Sequence, residues 1–420
     1  MTQATVTIER IAYGGKGVVR VDGKVWFIPG TVPGDRVEAK ITNDHERYAD
    51  AEVIAWVEKS AERTESPCRF SDECGGCGWL DIPYERQLEW KKSFIKSGLQ
   101  RIGRVDADED IPIHGSEQIL HYRNRILLRA YGTGDGLDVG YFRRASRDLV
   151  TIDRCAIAEP RLNDLIAALD GFKGHPGSKW RLECQVIAGG QVTITVYPGD
   201  RDTKGSDELV AALRAIPFVA WAGLVFDLKE APLLRLEEDR DIVFHTFPGQ
   251  FQQINTALNH KLRDIVAKIV KEREPKRVLD VFCGSGNLSL VVAAPERYVE
   301  AIEVNRKAIV VGHRNAEHNK LDVTFLAGDA EAHLWKCDRG GESFDLVILD
   351  PPRQGMYKGM IPLKNIAPQT ILYVSCDPNT LARDVGALTK KGRYKLVQLE
   401  ALDFFPNTYH VETVAVLERS

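Results

Sequence analysis

Neither charge sign dominates this chain of 420 residues, in which 56 Lys and Arg face 60 Asp and Glu for a formal net charge of -4. A global positive field able to hold a polyanion is therefore lacking, and any nucleic-acid site has to be local. Long apolar runs are missing as well. Stretches such as Leu288 to Ala294 are far too short to span a bilayer, and the first residues carry no basic, apolar leader. The expected compartment is the cytoplasm, without membrane contact, and nothing points to an obligate protein partner. Eight cysteines are too few for a disulfide scaffold in a chain this long. Three of them, Cys68, Cys74 and Cys77, nevertheless fall within ten residues, a density that suits a metal site.

The length predicts more than one domain. Residues 1–58 alternate short apolar strands with turns at Gly14-Gly15 and Pro33-Gly34, which predicts a small OB-like β-barrel. Residues 59–250 predict a mixed α+β central domain. It opens with the cysteine group and a basic helix over Tyr84 to Ile102, followed by a strand, turn and strand from His121 to Thr151. That pair carries Arg123, Arg125, Arg129, Arg143, Arg144 and Arg147, which suit a phosphate backbone; the plainer reading is a solvated sheet face. A helix at Arg161 to Leu169 and strands at Trp180 to Ala188, Gln191 to Tyr197 and Ala222 to Asp227 complete the domain.

Residues 251–420 change register. A helix over Thr256 to Lys271 ends before Pro275, and buried strands recur at Arg277 to Phe282, Tyr298 to Glu303, Asp322 to Leu326, Phe344 to Leu349, Thr370 to Ser375 and His410 to Leu417. Turn and helix signals between them, beginning with Gly284 to Ala293, predict a doubly wound, Rossmann-like α/β sheet. In Asp280-Val281-Phe282-Cys283-Gly284-Ser285-Gly286-Asn287 a glycine pair joins strand to helix, and Glu303 ends the next strand, where a carboxylate can accept from ribose hydroxyls. The third glycine of the dinucleotide fingerprint is absent. Together with acidic Asp280, that favours a cationic, phosphate-free nucleoside cofactor. Asp329 in Gly328-Asp329-Ala330 suits an adenine edge, and Asp350-Pro351-Pro352-Arg353 ends a strand in a carboxylate aimed over the crevice.

Cys376, in Ser375-Cys376-Asp377-Pro378, stands at the end of the following strand, where a thiol can be reactive rather than merely packed. With the glycine loop, the Asp350 turn reads as a methyl-donor site that touches a nitrogenous base; for a pyrimidine, C5 is too weak a nucleophile to take a methyl group directly, so thiolate addition at C6 is needed first. A base must then remove the C5 proton, and Glu412 within the apolar run His410 to Val414 is the leading candidate, with His410 and Asp377 as competitors. Cys155 is the fourth thiol available to Cys68, Cys74 and Cys77, and four thiolates at this spacing suit zinc or a 4Fe-4S cluster.

The four cysteines, Phe251-Gln252-Gln253-Ile254-Asn255, the Asp350 to Arg353 turn, Ser375 to Pro378 and Phe404 to Glu412 resemble, in this order, the RNA uracil-5-methyltransferase family that joins a TRAM barrel, a cluster-bearing central domain and a methyl-donor domain. The likeness covers essentially the whole chain and is greatest to the 23S ribosomal RNA branch. It implies Cys376 as nucleophile and Glu412 as proton acceptor. It further implies S-adenosylmethionine contacts from Gln253, Phe282, Asn287, Glu303, Asp329 and Asp350, and a 4Fe-4S cluster on Cys68, Cys74, Cys77 and Cys155. Asp377 stands where many members have asparagine, and position 329 varies among them. The expected partner is RNA, 23S ribosomal RNA first, with transfer RNA as the alternative. Methylation of a purine nitrogen, noncatalytic RNA binding and a nicotinamide oxidoreductase using the cluster, which the missing third glycine disfavours, are the remaining readings.

Overall fold

The computed structural model describes residues 2–106, 110–199, 205–356 and 358–420. A six-stranded sheet spans Gln3–Thr7 to Tyr48–Glu58 and coils around fully buried Trp26, Ile28, Val37, Ala39 and Ala49. Its edge strands, Gln3–Thr7 and Arg10–Ala12, are not paired to each other among the described residues, so the predicted barrel is a half-barrel.

The second sheet orders its strands Leu149–Thr151, Leu137–Phe142, Arg125–Gly132, Lys179–Ile187, Gln191–Pro198 and Val219–Leu224. Helices Pro160–Ala168 and Ser206–Arg214 bury Leu162, Leu165, Leu209 and Leu213 against Leu128, Leu182 and Ile194. The strand expected at Ala222 to Asp227 stops at Leu224. There the Leu224 N–H donates to the Asp227 carboxylate at 2.9 Å and the chain tightens into a 3-10 turn over Val225–Lys229, a local side-chain bond winning over strand propensity.

The third sheet has eight strands, ordered Thr324–Ala327, Tyr298–Glu303, Arg277–Val281, Leu346–Leu349, Thr370–Ser375, Glu412–Arg419, Tyr394–Leu402 and Ile113–His114. The first five run parallel, and Glu412–Arg419 is antiparallel between Thr370–Ser375 and Tyr394–Leu402. Parallel central strands are covered on both faces, which is why Leu346 to Leu349 and Tyr373 to Val374 are wholly buried. Helices Arg306–Asn319, Ala330–Gly340 and Pro378–Thr389 start on Asn305, Asp329 and Asp377, whose side chains accept the first free N–H groups.

A segment preceding the central sheet belongs physically to this core. Helix Tyr84–Gly98 and the turn after it bury Ile95 and Leu99 with Leu279, Val347 and Tyr373, and Ile113–His114 pairs with Ala401 and Leu402. On the same helix Lys91, fully buried, pairs with fully buried Asp403 and donates to the Phe405 carbonyl at 3.1 Å. Burial pushes the Lys91 ammonium down, and Asp403 pulls it back up. Lys91→Met strands a buried carboxylate and is expected to cost about 3–5 kcal/mol of stability, read from the denaturant midpoint; adding Asp403→Leu should recover most of it.

Candidate active site

Strand order reverses between Arg277–Val281 and Leu346–Leu349, which opens a crevice beyond the strand ends. Ladder register aligns Val281 with Leu349 and Leu349 with Tyr373, so Phe282, Asp350 and the Ser375–Cys376 turn emerge on one edge. The loop after Val281 is tightly specified. Phe282 takes a left-handed backbone at φ 70°, rare for a side chain of that size, and both Phe282 and Cys283 donate to the Ile302 carbonyl at 3.0 and 3.1 Å. Gly286, at φ 92°, could not carry a Cβ without meeting the Phe325 ring at 2.9 Å. Of the turn and helix read over Gly284 to Ala293, the helix occupies only Ser289–Val292, the glycine loop taking the residues before it.

Glu303 ties this loop to the second strand, accepting from Gly284 N at 3.3 Å and from Asn305 N at 2.8 Å. Asp280 lies buried beneath and accepts from the Ser289 hydroxyl; burial pushes its carboxyl up to about 7. The Asn287 carboxamide oxygen accepts from Arg263 Nε at 3.0 Å and from Asn259 Nδ2 at 3.1 Å. Asn259 also lines a cavity of about 230 Å³ with Gln253, so one helix connects those two predicted contacts. Asp329 is exposed, caps its helix through Ala332 N at 2.9 Å, and follows Gly328, which donates to the Glu303 carbonyl at 2.9 Å. All six predicted cofactor residues thus border this sheet edge or the helix beside it.

Ser375 pairs with Thr413, the last rung of this ladder, so Cys376 and Glu412 each lie one residue from that pair and their charges interact. The thiol is half-buried and Glu412 is 4% exposed. Burial, then the Glu412 charge, push Cys376 up to about 12, while Arg353 pulls it down. Burial and Asp350 hold Glu412 well above the usual carboxylate range, again opposed by Arg353. Asp350 itself is pushed up to about 7 by burial and Asp280. Two like charges in so poorly hydrated a place coexist badly, so the pair keeps a proton near neutrality.

The competing bases fare differently. Burial, then Arg353, lower His410 to about 4, and Arg353 Nη2 stands 3.4 Å from its ring nitrogens. Asp377 is occupied, one oxygen capping Asn379 N and Thr380 N at 2.9 and 3.0 Å and the other accepting from the Tyr13 hydroxyl at 3.2 Å. Tyr13 comes from the half-barrel and packs edge-on against Tyr409. The first domain therefore touches both the thiol loop and the segment leading to Glu412. Sequence reasoning assigned no role to Tyr13 or Arg353; the Pro-Pro-Arg turn was a usable signal for the second, whereas a contact so distant in sequence leaves none for the first.

The four cysteines are brought together although they come from separate segments. The loop holding Cys68, Cys74 and Cys77 docks on the central hairpin through Gly75 N to Phe142 O at 3.0 Å and Arg144 Nη2 to Cys77 O at 3.0 Å. Cys155 is pinned by Asn163 of the next helix, Cys155 N to Oδ1 at 2.7 Å. All four line an apolar chamber of about 220 Å³ with Leu80 and Tyr141. Burial and the neighbouring thiols push Cys77 up to about 12, so these groups do not ionise together unaided. A second potential ligand group, Glu300, His333 and Cys337, is already satisfied by hydrogen bonds, Glu300 taking His333 Nε2 and the Tyr298 hydroxyl at 2.6 Å each.

Five parallel strands, an antiparallel strand inserted beside the last of them and a glycine loop at the switch point define the methyltransferase fold. Residues 233–420 match the family model of tRNA (Uracil-5-)-methyltransferase and residues 2–54 that of the TRAM domain. Among curated proteins, an uncharacterized RNA methyltransferase of Thermosynechococcus vestitus is 31% identical over 98% of this chain and 97% of its own. A 23S rRNA (uracil(1939)-C(5))-methyltransferase of Shewanella woodyi is 30% identical over 100% of this chain and 96% of its own. The solved Pyrococcus abyssi tRNA (uracil-54, C5)-methyltransferase in complex with S-adenosyl-L-homocysteine superposes with a TM-score of 0.72, at 25% identity, over 98% of this chain and 99% of that one. The chain belongs to the RNA (uracil-5-)-methyltransferase family and carries the TRAM domain at its start.

Proposed function

We propose that this protein transfers the methyl group of S-adenosylmethionine to C5 of a uridine in 23S ribosomal RNA, with Cys376 as nucleophile and Glu412 as proton acceptor. The observation that carries this reading is a thiol one residue beyond the Ser375–Thr413 rung, interacting with the buried Glu412 carboxylate, which itself interacts with Asp350 at the switch crevice. Gln253, Phe282, Asn287, Glu303, Asp329 and Asp350 would hold the donor, which supplies the methyl group and, until transfer, a sulfonium charge. Cys376 adds to C6 of the flipped base, so that C5 gains the electron density it needs. Arg353, whose charge opposes the rise in the thiol, favours the thiolate at that moment. Glu412, kept basic by its surroundings, then takes the C5 proton as the sulfur leaves.

The ribosomal target is supported by relatives of that name matched over nearly their whole length. Transfer RNA remains a second reading because the solved enzyme with the same fold acts on tRNA. Incubating each RNA with labelled donor, digesting it and identifying the nucleoside tests both. 5-Methyluridine in 23S RNA supports the first reading, 5-methyluridine in tRNA alone transfers the assignment, and a methylated purine overturns it.

The four thiols would hold a 4Fe-4S cluster. They come from two separate segments and line one apolar chamber of about 220 Å³ with Leu80, Tyr141 and Ile157, and four thiolates suit such a cluster. Such a cluster would fasten the cysteine loop to the arginine-bearing hairpin. Anaerobically purified protein is expected to contain about four irons and four sulfides per chain, both lost in Cys155→Ser. Stoichiometric zinc without sulfide would reject the assignment.

A further inference from the structure

Arg123 stands between two chambers. It lines the four-cysteine chamber on one side and, on the other, a cleft of about 450 Å³ where the half-barrel, the cysteine loop and the catalytic segment meet. Its backbone is fixed from three directions: its N–H donates to the Ile157 carbonyl at 2.9 Å, its carbonyl accepts from Glu159 N at 3.0 Å, and it bridges to Asn255. The side chain is the reverse. Nε is buried without a partner, and no carboxylate lies within ion-pair distance of the guanidinium among the described residues. A half-buried guanidinium without a counter-ion is costly unless something bound supplies one.

Both chambers can. Four thiolates leave an iron-sulfur cluster with net negative charge, on the chamber side. The cleft side is lined by Arg144 and Arg353 and by the rings of Tyr409 and His410, a set that suits a phosphodiester with an unstacked base beside it.

We propose that Arg123 is a counter-ion shared between the cluster and the RNA, binding a phosphodiester flanking the flipped nucleotide and thereby coupling RNA binding to the charge of the cluster. This deepens, and rests on, the reading that the chain methylates RNA and carries a cluster. Because such coupling is reciprocal, a phosphate drawing on the guanidinium leaves the cluster less positive charge and makes it harder to reduce; a reduced cluster in turn weakens the hold on RNA.

The test uses anaerobically purified holoprotein and a uridine-containing RNA hairpin. RNA affinity is measured against salt by fluorescence anisotropy, and the cluster midpoint potential is measured with and without the hairpin. Arg123→Gln is expected to weaken binding about tenfold and to reduce the log-affinity against log-salt slope by about 1. The native potential is expected to fall when RNA binds, and the variant potential to start lower and not respond. An unchanged slope in the variant, or an equal RNA-dependent shift in both proteins, overturns the proposal. Should Arg123→Gln lose its iron, the native titration decides alone, since a potential indifferent to RNA also overturns it. Native protein that forms no 5-methyluridine undoes the functional reading instead; methylation intact with an unchanged slope undoes only this inference.

Discussion

Cys376→Ala is expected to abolish methyl transfer, lowering single-turnover product formation by at least about a thousandfold while donor affinity stays within about twofold. The reason is chemical before it is structural. Without a thiolate at C6, C5 never acquires enolate character, and no contact elsewhere in the crevice substitutes for it. The residues proposed to hold the donor lie outside the Ser375–Cys376 turn, with Phe282 and Glu303 joined by the glycine loop, so removing one sulfur leaves them in place. Equilibrium binding of the donor together with a methyl-transfer assay separates the two quantities. Retained turnover would rule out covalent catalysis, and joint loss of donor binding would mean that Cys376 supports the fold of the crevice instead.

Glu412→Gln should behave in the opposite manner. The thiol still adds and the methyl group still transfers, but the C5 proton is not removed, so a protein-RNA adduct persists on a denaturing gel and turnover falls by about 10²–10⁴. The adduct must vanish in the double variant with Cys376→Ala. The surroundings also fix the sign of the pH response. Glu412 and Cys376 are both pushed upward and both act only after losing a proton, so single-turnover rates should keep rising from neutral pH toward about 12, where the thiol titrates. A flat profile over that interval, with chemistry limiting, would reject these two groups as the ones that titrate. A Glu412→Gln variant that turns over freely would assign the proton to another acceptor, His410 or Asp377, although the first is held to about 4 and the second is bound to Tyr13 and its own helix.

Much of this site was legible because its chemistry sits at the ends of apolar runs. Leu346 to Leu349 and Thr370 to Ser375 read as buried strands, so Asp350 and Cys376 fell where a doubly wound sheet meets its ligands. The caps that Asn255 and Asp377 place on the helices following them are local too, but went unread. The helix read over Tyr84 to Ile102 was placed in the central domain and packs on the core of the third sheet, since an amphipathic helix shows that it buries a face and not against which core; the two-residue pairing of Ile113–His114 carries no periodicity and went unread.

By itself the sequence determined the buried parallel strands of the third sheet and the residue types that end them, because alternation, apolar runs and turn chemistry act over a few neighbouring residues. Only the tertiary structure decided that Glu412 lies beside the turn carrying Cys376, that Cys155 closes the chamber begun by Cys68, that Tyr13 reaches Asp377 across the domain boundary, and that Arg123 borders two chambers. Strand register, hairpin docking and buried charge are set by which surfaces exclude water together, and that depends on the whole chain being folded.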